Sequence, residues 1–138
     1  MHIEWTKVFE TGHAEIDREH KAIVDIINRL EDMPEDEYSE DVGDILCQLT
    51  EYVIVHFGRE EQMMLRVRYP DYDAHMLSHC QFFAHLTRFT YGFETRQTGL
   101  SRDIQEYLAG WLVEHEAIED AAFIRYWLAY GGASAPPD

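Results

Sequence analysis

Apolar residues return every three or four positions through four long stretches of this chain, the spacing of one face of an α-helix. Ile23, Ile26, Ile27 and Leu30 mark the first stretch, and Ile45, Leu46, Leu49, Tyr52, Val53, Phe57 and Met64 the second. The third runs through Phe82, Phe83, Leu86, Phe89 and Phe93, and the fourth through Ile104, Leu108, Trp111, Leu112, Ile118, Phe123 and Trp127. Breakers fall between them. Met33-Pro34 ends the first, because proline cannot continue a helix and restrains the residue before it. Tyr69-Pro70 and Thr98-Gly99 separate the others, and Asp17, Ser39, Asp71 and Ser101 stand where helices would begin. The pattern predicts helices over about residues 17–33, 39–66, 71–95 and 101–130. No run alternates like a strand, and no Asn-Gly or Asp-Gly pair signals a hairpin.

Four amphipathic helices with short connections predict an all-α fold, an antiparallel up-down-up-down four-helix bundle with an N-terminal arm. The arm covers residues 1–16 and carries Trp5, Val8 and Phe9 ahead of a Thr11-Gly12 break. Residues 131–138 are Gly, Ala, Ser, Pro and Asp only, and read as a flexible tail or a linker remnant. A length of 138 residues suits one domain, over residues 1–130, with a core of its own.

Charge narrows the partners. Eleven Lys and Arg against 27 Asp and Glu leave a net charge of −16, which argues against nucleic acid and against anionic membrane surfaces. No apolar run approaches the roughly 20 residues of a membrane-spanning helix. The first ten residues lack the basic start and apolar run of a secretory signal. Cys47 and Cys80 belong to no Cys-x-x-Cys pair and read as buried small apolar residues, so a reducing compartment, the cytoplasm, is expected.

Eight histidines are many for so acidic a chain, and their placement is informative. His56 and Glu60 stand four apart on the second helix, and His75 and His79 repeat that spacing on the third. His20 lies on the first helix, and His115 on the fourth with Asp120 five residues later. One histidine at helical spacing is ordinarily a core or surface residue. Two such pairs, with matching donors on both other helices, point to metal instead. Imidazole and carboxylate suit Fe, Zn, Mn or Cu. Five histidines and two carboxylates exceed one tetrahedral zinc, yet suffice for two ions side by side with the carboxylates bridging. His2, His13 and His85 lack the pattern and read as surface or packing residues.

The set His20, His56-Phe57-Gly58-Arg59-Glu60-Glu61, His75-x-x-x-His79 and His115-x-x-x-x-Asp120 resembles the hemerythrin signature. The arm, from Ile3-Glu4-Trp5 to Ile16-Asp17-Arg18-Glu19-His20-Lys21, is similar to the bacterial branch of that family, the bacteriohemerythrins. The resemblance spans residues 3 to 128 and implies a non-haem diiron site that binds O2. It implies that His75, His79 and His115 hold one iron, and that His20 and His56 hold a second with an open position. Glu60 and Asp120, with an oxo or hydroxo group, would bridge the two. O2 would bind at the open iron as a hydroperoxide, in an apolar pocket that the resemblance maps to Ile23, Phe57 and Trp111.

One residue departs from the family pattern. The position after the last histidine is usually apolar, and here it is Glu116. A carboxylate there is expected to touch the open iron, as an additional ligand, a water holder or a proton donor, unless it turns away to a neighbouring cation. Contact would favour peroxide chemistry over reversible O2 carriage. The leading expectation is therefore O2 storage, delivery to an oxygen-using enzyme, or sensing beside a signalling partner, with peroxide or NO as further ligands. The rival is a diiron peroxidase or oxidase. The histidine-rich set favours a carrier over an enzyme, since the sole Glu-x-x-His string, Glu10 to His13, lies in the arm. A zinc peptidase is excluded in its usual form, because the string begun by His115-Glu116 has Glu119 where the second histidine belongs. A chain starting at Met1 without a second domain is expected to stand alone.

Overall fold

A computed structural model describes residues 2–33 and 40–131. Four helices carry nearly all of them: α1 (Ala14–Asp32), α2 (residues 40–67), α3 (Tyr72–Glu94) and α4 (residues 100–130). No strand occurs among the described residues. Each helix packs against its neighbours in an antiparallel bundle, α1 against α4 and α2 against α3 most extensively. The expected breaks at Pro34 and Ser39 and the tail from residue 132 onward lie outside the described residues.

Two of the helices change pitch. Within α2 the segment Val53–Phe57 is π-helical, and within α4 so is Leu112–Asp120. The flanking residues Tyr52, Gly58, Trp111 and Ala121 keep right-handed helical angles, so both helices run through without a break. A π turn closes over five residues instead of four and is found most often at functional sites.

α1 begins three residues earlier than periodicity predicts. His13 Nδ1 accepts the Ile16 backbone N–H at 3.2 Å and caps the helix. Asp17, the expected cap, instead accepts from the Thr11 backbone N–H at 2.9 Å and its hydroxyl at 2.7 Å, tying the arm to the helix. Further along the arm, Asn28 accepts from the Ile3 N–H at 2.7 Å and donates to its carbonyl at 2.9 Å. Trp5 and Phe9 then rest on the core, with Lys21 Nζ 5.3 Å from the Trp5 ring. α2 stops at Arg68 and α4 starts after Gly99, both with positive φ (54° and 76°), which reverses the chain tightly. Ser101, the expected cap, lies inside the first turn of α4, two residues past the actual cap at Gly99.

The core has two parts. The larger is built from Ile23, Ile27, Ile45, Leu49, Phe57, Phe82, Leu86, Ile104, Leu108 and their neighbours. The smaller comprises Ile16, Met64, Phe123, Ile124 and Trp127. Along α1, α2 and α4 the buried charged residues fall between members of the two parts, a polar layer inside an apolar bundle. Cys47 and Cys80 are outside both: each is exposed, which corrects the expectation that they are buried. They fall on the solvent side of α2 and α3. No helix among the described residues is long and apolar enough to cross a membrane.

Candidate metal centre

Eight buried polar or charged side chains are found among the described residues: His20, His56, Glu60, His75, His79, His115, Glu116 and Asp120. Seven of them converge. Glu60, His75, His79, His115 and Asp120 place one donor atom each within 4.8 Å of one another, and so do His20, His56, Glu60 and Asp120. Both carboxylates belong to both groups.

The helices explain how the donors meet. His75 and His79 sit one turn apart on α3, as do His56 and Glu60 on α2. Residues five apart on an α-helix, such as His115 and Asp120, would face some 140° apart at 100° per residue. The π segment Leu112–Asp120 removes that mismatch and brings Asp120 beneath His115, with Nε2 and Oδ1 at 2.9 Å.

Asp120 divides its oxygens between the two groups. Oδ1 lies 2.9 Å from His75 Nε2 and 2.9 Å from His115 Nε2. Oδ2 lies 2.8 Å from His20 Nε2 and 3.6 Å from His56 Nε2. Glu60 Oε1 approaches His79 at 3.1 Å and both His75 and His56 at 3.5 Å. Close as they are, His75 Nε2, His115 Nε2, both Asp120 oxygens and Glu60 Oε2 complete no properly aligned hydrogen bond. Buried polar atoms are rarely left so. These point at common centres instead of at one another, and imidazole nitrogen with carboxylate oxygen is a donor set that fits first-row transition metals.

The opposite ring nitrogens are held from behind. His56 Nδ1 donates to Glu19 Oε1 at 2.9 Å, and Glu19 is itself gripped by Arg59 Nε at 3.1 Å. His79 Nδ1 donates to Glu61 Oε2 at 3.1 Å. His115 Nδ1 donates to Glu119 Oε2 at 2.6 Å, and Ser78 donates to the other Glu119 oxygen at 3.1 Å. Each carboxylate fixes the tautomer that leaves Nε2 free to face inward. Sequence reasoning assigned these three glutamates no role. The signal was present, since each adjoins a donor: Glu19-His20, Glu60-Glu61 and Glu119-Asp120.

Charge balance inside the layer moves the protons of His75, His115 and Asp120. Burial alone would lower the histidines, yet Asp120 lifts His115 to about 10, and Asp120 with Glu60 lifts His75 to about 9. Burial would raise Asp120, but the surrounding imidazoles hold its carboxyl well below the usual range. The metal-free cage is thus internally neutralised by protons that a cation would displace.

Glu116 is fully buried, as its position demands, but stands apart from both donor groups. Its Oε1 accepts the Tyr52 hydroxyl at 2.6 Å, and its Oε2 lies 4.0 Å from His20 Nδ1, the side of that ring away from Asp120. The carboxylate thus turns one oxygen to Tyr52 and leaves Oε2 behind His20 without an aligned hydrogen bond. Burial drives its pKa up despite the nearby imidazoles. Tyr52, which periodicity assigns to the core alone, also stacks on His56 at 4.7 Å.

The three expected pocket residues are buried in the larger core. Phe57 lies face to face with His79 at 3.8 Å, and Trp111 with His115 at 4.0 Å. Ile23 is one turn beyond His20 on α1. Outside the centre, His2 meets Asp32 at 2.7 Å and His85 stacks on Tyr107 at 4.0 Å, as surface and packing residues do.

Several known proteins are similar to this chain in sequence. A bacteriohemerythrin of Pseudomonas aeruginosa is 27% identical over 123 residues, covering 89% of this chain and 80% of the relative. One from Methylococcus capsulatus is 30% identical over 112 residues, covering 80% and 86%. A myohemerythrin of Theromyzon tessulatum is 32% identical over 79 residues, covering 57% and 61%. The family model described as hemerythrin HHE cation binding domain matches residues 11–127, which span the whole donor cage from α1 to α4. On that match and that cage together, the chain belongs to the hemerythrin family.

Proposed function

We propose that this chain holds two iron ions side by side and binds O2 at one of them. The observation that carries the reading is the division of Asp120, one oxygen to His75 and His115 and the other to His20 and His56. His75, His79 and His115 with the two carboxylates offer one ion five protein donors; His20 and His56 with the same carboxylates offer the other four. A solvent-derived oxo or hydroxo group completes the pair, and the second ion keeps a position for ligand. Such a pair, held by these residues in its reduced form, would supply the two electrons that O2 binding needs and take them back on release. Phe57, Trp111 and Ile23 exclude water from that position, and Glu19, Glu61 and Glu119 keep the imidazoles aimed. The relatives named bacteriohemerythrin and myohemerythrin support the reading. Storage, delivery and sensing all use this chemistry, and the cytoplasm, where two free thiols persist, suits it.

Iron counted per chain, followed by anaerobic reduction and readmission of air, tests the proposal. Two irons and a peroxide-to-iron band that vanishes under argon and returns with air are expected. Two irons that turn directly to a stable ferric spectrum would sink reversible carriage.

Glu116 favours a second reading, peroxidase or oxidase chemistry. A buried carboxylate behind His20, gripped by Tyr52, raises the basicity of that imidazole and with it the stability of the oxidised ion. The Glu116→Ile variant is expected to autoxidise more slowly and bind O2 more reversibly; unchanged autoxidation and O2 affinity would refute a tuning role.

A further inference from the structure

A file of aromatic rings leads out of the centre. Tyr107, Trp111 and His115 recur every four residues on one face of α4. The Trp111 ring lies 4.0 Å from His115 and 12° from parallel. Tyr107 follows at 6.5 Å and 26°, and His85 of α3 stacks on Tyr107 at 4.0 Å and 15°. Phe82 fills the side of the file, 4.7 Å from Trp111 and 5.7 Å from Tyr107. The outer rings open into a groove of about 450 Å³ between α3 and α4, rimmed by Glu106, Glu114 and Glu119.

We propose that this groove binds and oxidises neutral or cationic aromatic electron donors, with Trp111 and Tyr107 carrying the electrons inward when the oxidant is hydrogen peroxide. The proposal rests on the diiron reading and deepens its peroxidase branch. The two rings differ in the way such a relay requires. Trp111 is buried and its indole N–H has no acceptor among the described residues, so it exchanges an electron without its proton. Tyr107 is half-buried on the groove and can release its phenolic proton to the water there. Tyr52, which stacks directly on the cage histidine His56, is buried with its hydroxyl committed to Glu116. Among the described residues, the file through Trp111 and Tyr107 is the route that combines stacking on a cage histidine with an outlet to the groove.

The balance closes on peroxide. Its O–O bond breaks, and two electrons with two protons convert it into two water molecules. The electrons arrive singly, each passing from Trp111 toward His115 and being replaced from Tyr107. A phenol or arylamine in the groove restores Tyr107 with one electron and one proton, so two donors are oxidised for each peroxide consumed. The stacked His85–Tyr107 pair offers a flat apolar face, and a space of this size accommodates a one- or two-ring compound. The acidic rim, within an overall charge of −16, turns away anions.

The test uses the iron-loaded full chain, treated with hydrogen peroxide and freeze-quenched for paramagnetic resonance, with a spin trap located by mass spectrometry. Wild type is expected to carry the trap on Tyr107 and to oxidise tetramethyl-p-phenylenediamine faster than ferrocyanide at low salt. Tyr107→Phe is expected to lose that adduct and slow arylamine oxidation on the order of tenfold, with iron content and ferric spectrum unchanged. Tyr91→Phe, at an exposed tyrosine farther along α3, serves as the control and should match wild type. An adduct on another residue, or an undiminished arylamine rate in Tyr107→Phe, overturns the relay while leaving the diiron reading intact. A chain that takes up no iron overturns both.

Discussion

The two halves of the donor cage are braced to different degrees. On the three-histidine side, His79 and His115 each donate to a carboxylate behind the ring, at 3.1 and 2.6 Å, and each is covered by an aromatic face. On the two-histidine side only His56 has such a carboxylate, Glu19 at 2.9 Å. His20 has Glu116 at 4.0 Å, beyond hydrogen-bond reach and already bound by Tyr52. Bracing is strongest where the protein supplies most donors and weakest where a ligand would enter. A site built to bind and release needs one ion held rigidly and the other free to change its coordination.

Removing what the halves share should have the largest effect. Asp120→Ala is expected to reduce iron from two ions per chain to none, measured by elemental analysis. It also strands the imidazoles that Asp120 neutralises, so the metal-free chain should lose about 3–5 kcal/mol in urea unfolding. Next, His56→Ala and His79→Ala separate the halves. The first should retain the ion of the three-histidine side, giving about one iron per chain by analogy with the remaining five donors; equal losses in the two variants would show that the halves load only together.

The bracing itself comes third. Glu119→Gln should weaken iron binding about 10–100-fold in a chelator competition, the usual effect of removing a carboxylate behind a metal-bound histidine. Glu116→Gln, with no hydrogen bond to His20 to lose, should change iron affinity less. A larger loss at Glu116 would reverse the comparison. The response to pH reads the metal-free cage alone. In the folded metal-free chain His75 and His115 keep protons up to about 9 and about 10, against 6.5 when unfolded. Their stabilisation is full below pH 6.5, declines as pH rises, and is gone above about 10. Melting temperature of the metal-free chain should therefore fall between pH 7 and 10, while the iron-loaded chain, whose imidazoles carry no such protons, should change little.

Much of this was legible in the chain because periodicity and donor spacing follow from helix geometry. Burial of Ile23, Leu49, Phe82 and Leu108 follows from their three- and four-residue recurrence, and His75 and His79 share a face for the same reason. The π segments were not legible, since no residue preference distinguishes them; the five-residue interval from His115 to Asp120 was the sole hint. Cys47 and Cys80 misled because cysteine's usual burial says nothing about which face of a helix it occupies. The start of α1 was missed because His13 is an unusual cap, while Asp17 looked like an ordinary one. Glu116 was correctly placed beside the cage by its number, but its direction depended on Tyr52, a partner 64 positions away.

The π segment of α4 makes this protein sensitive to chain length in a way that substitutions would not reveal. An α-helix that loses one residue rotates everything downstream by about 100°. Within Leu112–Asp120 the same deletion would also let the wide turn relax to ordinary pitch, because the extra residue is what the turn accommodates. The helix would survive, and its content by circular dichroism with it, yet Asp120 would no longer lie under His115. Insertions and deletions of one residue across 112–120 should therefore abolish metal binding in a chain that remains folded, whereas length changes in the arm should leave iron uptake intact. The capacity to hold metal is in this sense a property of counting, written into α4 as one residue more than an α-helix needs.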